Sequence, residues 1–143
     1  MAPFSVLKFL KDQWTTLPNV EKLNLKGRTV IVTGSNVGLG LEAARHFAQM
    51  SPKKLILAVR TVEKGEESKQ DILNSAPNAK IEVWKLDLSS MQSVQEFAAR
   101  VKQDLSRLDL ACLNAGIATS QWNTTRMGTN QRELSLLLLD RLG

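Results

Sequence analysis

Short apolar runs alternate with longer stretches in which apolar residues recur every three or four positions, and this alternation governs the chain after Pro18. Thr29-Val30-Ile31-Val32-Thr33 is β-branched throughout, the pattern of a strand buried on both faces, as parallel strands usually are. Leu55 to Val59, Ile81 to Leu86 and Leu108 to Leu113 predict three further strands. Helical segments connect them, the first from about Leu39 to Gln49. The last is the clearest, because Met91, Val94, Phe97, Ala98, Val101 and Leu105 form one apolar stripe, and Ser89 or Ser90 stands where a helix cap is needed. Strand and helix in alternation mean βαβ units. Right-handed crossovers then lay the four strands in the order 3-2-1-4, the first half or slightly more of a doubly wound parallel α/β sheet. In such a sheet a ligand belongs at the carboxyl ends of strands one and four.

The residues with chemical meaning fall at those ends. Thr33-Gly34-Ser35-Asn36-Val37-Gly38-Leu39-Gly40 lies between the first strand and its helix. A turn here must reverse the chain and bring bare backbone against a ligand. Glycine serves both needs: it tolerates positive φ and lets a pyrophosphate or ribose approach the main chain. The helix that follows points free N–H groups and its positive end at the anion. The spacing is G-x-x-x-G-x-G rather than the usual G-x-G-x-x-G, and a purely structural tight turn is the alternative. Arg60 ends the second strand, about 20 residues past the turn. An acid at that place would bind the ribose 2′-hydroxyl of NAD, whereas a guanidinium matches a 2′-phosphate in geometry and charge. NADP is therefore favoured over NAD, with a solvated arginine at a strand end as the alternative.

These motifs, together with Asn-Leu-Lys-Gly before the first strand, Asp87 in Leu86-Asp87-Leu88-Ser89 and Asn114-Ala115-Gly116 after the fourth strand, resemble the short-chain dehydrogenase/reductase family. The match runs from about Leu25 to Gly116, its motifs in the correct order at the correct strand ends, and implies a Rossmann-like fold. By that resemblance Ser35, Asn36, Val37 and Leu39 line the pyrophosphate and adenosine ribose, with Gly34, Gly38 and Gly40 shaping the loop. Asp87 contacts the adenine amino group and Leu88 flanks the ring. Asn114, Ala115 and Gly116 admit the nicotinamide-side ribose. Asp87 can instead cap the next helix, and Asn114 can instead stitch strand backbones together. Gly-Leu-Gly with Ala-Val-Arg further resembles retinol-dehydrogenase-like and fungal biosynthetic reductases, which implies alcohol/carbonyl interconversion on a small lipophilic substrate.

The family's reaction needs a proton for the developing alkoxide, supplied by Tyr in a Y-x-x-x-K motif whose Lys lowers the tyrosine pKa, with a Ser polarising the carbonyl. The 143 residues contain no Tyr, so no catalytic residue is assigned. Thr124-Thr125-Arg126-Met127-Gly128 resembles the family's T-x-D-G helix start with Met127 in place of the acid, and Leu136 to Leu139 resembles the end of the same helix. Too few residues lie between them. The expectation is a shortened connecting helix, a chain that stops before the later strands, and no assigned role for Asn130. It divides residues 1–24, an N-terminal extension, from residues 25–143, an incomplete NADP-binding domain. A non-catalytic nucleotide-binding or interaction module, paired with an intact homologue through the exposed sheet edge, is the competing expectation.

Composition changes little in this picture. The net charge of +5 is spread along the chain and not gathered into a stripe with interleaved aromatics, so the expected partner is a small-molecule cofactor and not nucleic acid. No apolar run reaches the roughly 18 residues of a membrane span. Phe4, Val6, Leu7, Phe9, Leu10 and Trp14 form an amphipathic N-terminal pattern, expected to dock on the domain. Cys112, the one cysteine, sits in an apolar run and is read as a buried small hydrophobe, consistent with a reducing, cytoplasmic setting. His46, the one histidine, has no cysteine or histidine partners at ligand spacing, so no metal site is assigned. Trp84 is expected to pack.

Overall fold

The computed structural model describes residues 23–116. In chain order these form β1 (Thr29–Thr33), α1 (Gly38–Gln49), β2 (Lys54–Val59), α2 (Val62–Ser75), β3 (Ile81–Lys85), α3 (Met91–Asp104) and β4 (Leu110–Cys112). The strands make one sheet in the order β3-β2-β1-β4, with every neighbouring pair parallel, as the alternating pattern predicts. The readings of Phe4 to Trp14, Thr124 to Gly128, Asn130 and Leu136 to Leu139 lie outside the described residues.

β1 is central and fully buried, which explains why it carries apolar or β-branched residues at every position and not at alternate ones. Its side chains divide between two cores. Val30 and Val32 pack with Leu55, Leu57, Ile72, Ile81, Ala44 and Ala48 beneath α1 and α2. On the other face, Ile31 packs with Ile56, Trp84, Leu86, Val94, Phe97 and Val101 beneath α3. Of the six stripe residues, Val94, Phe97, Ala98 and Val101 are buried, while Met91 is half-buried and Leu105, the C-cap, packs partly buried against the same core. Ser90 is the cap, its hydroxyl accepting from the Ser93 N–H at 3.3 Å.

Trp84 is a packing residue. It meets Phe97 edge-on with ring centroids 5.8 Å apart, Arg100 stacks 4.1 Å from its ring centroid, and its Nε1 donates to Glu82 Oε2 at 3.0 Å. Glu82 also pairs with Lys54 at 2.7 Å. Lys54 holds the Glu82 carboxyl below the usual carboxylate range, against the opposing effect of burial and with help from Trp84.

β4 departs from expectation in length, spanning three residues where the apolar run extends from Leu108 to Leu113. At its start Asp109 is joined to Thr29 twice, its N–H donating to the Thr29 carbonyl at 3.0 Å and its Oδ2 accepting the Thr29 N–H at 2.8 Å. Arg107 pairs with the same carboxylate. At the other end Asn114 N–H turns back to the Cys112 carbonyl at 3.1 Å. Cys112 is accordingly half-buried and not buried: among the described residues β4 has a strand on one side only.

Candidate functional site

The glycine turn leaves the carboxyl end of β1 with Gly34 at φ +64° and Gly38 at φ +59°, left-handed values that only glycine adopts without strain. Its approach to β4 is equally restrictive. A Cβ at Gly34 would stand 2.9 Å from Ala115 Cα, and one at Gly40 would collide with the Gly34 carbonyl and Asn114 Nδ2. Two hydrogen bonds of 3.3 Å run from Asn114 Nδ2 to the carbonyls of Thr33 and Gly34, and the Ala115 N–H donates to Thr33 Oγ1 at 3.0 Å. These contacts join residues some eighty positions apart. Ser35 is fully buried and its hydroxyl donates to the Val32 carbonyl at 3.1 Å.

Beside this turn opens a cleft of about 530 Å³ at the carboxyl ends of the strands, lined by Gly34, Asn36, Val37 and Leu39, by Arg60 beyond β2, by Asp87 and Leu88 beyond β3, and by Asn114, Ala115 and Gly116 beyond β4. Ten of the thirteen residues singled out from sequence thus share one cavity. Ser35, Gly38 and Gly40 do not line it and shape the turn behind it. Ala58, Thr61, Lys64 and Leu86 also line the cleft and were not singled out. Lys64 lies in the first turn of α2 among Glu63, Glu66 and Glu67, and nothing in the sequence separates it from its charged neighbours.

The start of α1 borders the cleft. Its N-cap, Val37, is extended and supplies no side-chain hydrogen bond, and the first turn contains no acidic residue. The positive end of the helix is thus left without an anion from its own segment, and Val37 and Leu39 stand exposed beside it. Arg60 and Lys64 add two cations to the same cavity. The residues present therefore fit a dinucleotide: glycines where a side chain would block its approach, a helix start and two cations for phosphates, and Leu86 and Leu88 for an apolar ring face.

Asp87 and Asn114 both have structural work. Asp87 Oδ1 accepts from the N–H and the hydroxyl of Ser89, at 2.9 and 2.7 Å, while its own N–H donates to Ser93 Oγ at 3.0 Å. Burial pushes its carboxyl pKa up, but the two Ser89 hydrogen bonds and the charges of Arg60 and Lys85 outweigh that and hold it below the ordinary value. Asp87 is thus anionic near neutral pH and sits within the field of Arg60.

A family model described as short chain dehydrogenase matches residues 28–135, and the chain belongs to that family. A short chain dehydrogenase/reductase from Cryptosporiopsis sp. is 52% identical over 103 residues, which cover 71% of this chain and 32% of the relative. A short chain dehydrogenase from Alternaria solani is 40% identical over 148 residues, covering 96% of this chain and 52% of that protein. Among solved structures, a short chain dehydrogenase from Escherichia coli complexed with NADPH superposes with a TM-score of 0.70 at 25% identity, over 85% of this chain and 54% of that one. The chain thus spans about a third to a half of the length of these relatives. It is an oxidoreductase-family chain with a Rossmann-like nucleotide-binding fold. No helix among the described residues is long and apolar enough to cross a membrane.

Proposed function

We propose that the cleft binds NADP(H) and that the whole enzyme to which this domain belongs by descent interconverts an alcohol and a carbonyl on a small lipophilic substrate. The observation that carries the cofactor choice is the pair of cations, Arg60 and Lys64, in the cavity wall beyond β2. A ribose 2′-phosphate would find a guanidinium and an ammonium there, and no acid stands at position 60 to repel it. The relative complexed with NADPH supports the same choice. In this reading the start of α1 receives the pyrophosphate, Asp87 and Leu88 hold the adenine, and Asn114 to Gly116 border the nicotinamide-side ribose. When bound, the nicotinamide supplies or accepts a hydride; the residues of this chain orient it.

The described cleft contains nothing that would deliver the accompanying proton to a carbonyl oxygen in the manner of the family's tyrosine, and the 143-residue sequence holds no Tyr at all. The 143-residue chain is therefore expected to bind cofactor without turnover. Titration of the purified chain with NADPH and NADH, followed by a panel of carbonyl substrates, tests both parts. Tighter binding of NADPH with no turnover is expected. Folded protein that binds neither nucleotide would remove the cofactor reading, and real turnover would show that another group supplies the proton.

A further inference from the structure

Ser68 is a buried polar residue in the middle of α2, with 6% of its surface exposed. Its hydroxyl donates to the Lys64 carbonyl at 2.9 Å, a contact that serine makes with its own helix in many proteins. It also lies 3.1 Å from the carbonyl of Asn36, thirty-two residues away in the glycine turn. Local helix chemistry accounts for the first contact and not for the second. The close approach is made possible one turn earlier by Gly65, where a Cβ would stand 2.5 Å from Val83 Cγ1 and 2.7 Å from Val59 Cγ2. With no side chain there, the start of α2 lies directly on the sheet, and Ser68, three residues on, meets the turn.

Asn36 and Lys64 both line the cleft, on walls formed by different segments, and one buried hydroxyl hydrogen is shared between their carbonyls. We propose that Ser68 is a positioning residue that sets the gap between the glycine turn and the Arg60–Lys64 arm, and thereby the fit of a nucleotide carrying a phosphate on its adenosine ribose. This rests on the NADP(H) reading above. The hydroxyl touches no ligand itself; it fixes two backbone segments whose side chains do. Without it the two walls keep their chemistry and lose their spacing, so a ligand that bridges them suffers more than one held by the turn alone.

The test compares adenosine 2′,5′-bisphosphate with adenosine 5′-monophosphate on the full 143-residue chain, by calorimetric titration of the wild type, Ser68→Ala and Ser68→Thr. Alanine is a good helix former and adds no volume, so Ser68→Ala is expected to fold. Loss of one hydrogen bond's worth of positioning predicts bisphosphate affinity reduced roughly 3- to 10-fold, with a smaller change for the monophosphate. Ser68→Thr, which keeps the hydroxyl, is expected to retain the wild-type ratio of the two affinities. An unchanged ratio in folded Ser68→Ala overturns this inference alone. A wild-type chain that binds neither nucleotide overturns the NADP(H) reading and this inference with it.

Discussion

Arg60 and Asp87 face the same cavity with opposite charges, and each makes a separate prediction. A charge-assisted hydrogen bond to a phosphate is worth about 1.5–3 kcal/mol, so Arg60→Glu is expected to weaken NADPH binding roughly 10- to 100-fold while leaving NADH binding nearly unchanged. Fluorescence titration of both nucleotides checks this; equal losses for the two would place Arg60 away from the 2′-phosphate. The Asp87 carboxyl, like that of Glu82, has its folded pKa lowered. The stability each contributes is therefore present above the ordinary carboxylate pKa and is lost as pH falls through the lower, folded value. Urea midpoints are expected to be steady near neutrality and to drop below about pH 4. Asp87→Asn keeps an acceptor oxygen for Ser89 while removing the titration, and its acid limb should be shallower than that of the wild type.

At the scale of the elements, several positions that sequence revealed have a requirement that is at least partly local. Gly34 and Gly38 are needed for φ values set within the turn itself, and Arg60 is placed by its distance from that turn. Gly65 was not legible, because what forbids a side chain there is the approach of Val59 and Val83 from two strands. Gly65→Ala is expected to lower stability by about 1–3 kcal/mol through overpacking, although alanine is the better helix former; chemical denaturation measures it. An unchanged urea midpoint would mean that α2 shifts outward without cost. The start of β4 was hidden for a similar reason. Leu108 to Leu113 reads as one strand-like run, and the long-range bonds between Thr29 and Asp109 stand where pairing with β1 begins. Lys64 and Ser68 lie in a helix whose polar positions look alike in one dimension, until α2 is laid against the turn.

For the molecule as a whole, the two outer strands differ. β3 is flanked by the Lys54–Glu82 pair and by Arg100 over Trp84, charges that discourage a further strand. β4 carries Leu110, Ala111 and Cys112, all half-buried, with β1 as its one strand partner among the described residues. We expect the purified 143-residue chain to associate through that side, with an apparent mass that rises with concentration in sedimentation or gel filtration. A concentration-independent monomer would show the edge to be protected. The fold class and strand order accord with the alternating pattern read as a doubly wound sheet with right-handed crossovers. The exposure of Cys112 does not, since it depends on what lies beyond the last strand.

Asn114 and Ala115 reach back across the sequence to Thr33 and Gly34, and this has a meaning in time as well as in space. The glycine turn is made early in synthesis, yet the groups that hold its carbonyls in place emerge only after three strands and three helices have been completed. Parallel pairings of such separation form slowly, because the intervening loop must be closed before any contact rewards it. A nascent chain halted after β3 would have the turn without the bonds that fix the Thr33 and Gly34 carbonyls. Ligand capture would then begin with the docking of β4, so that the arrival of binding competence reports when β4 has joined the sheet.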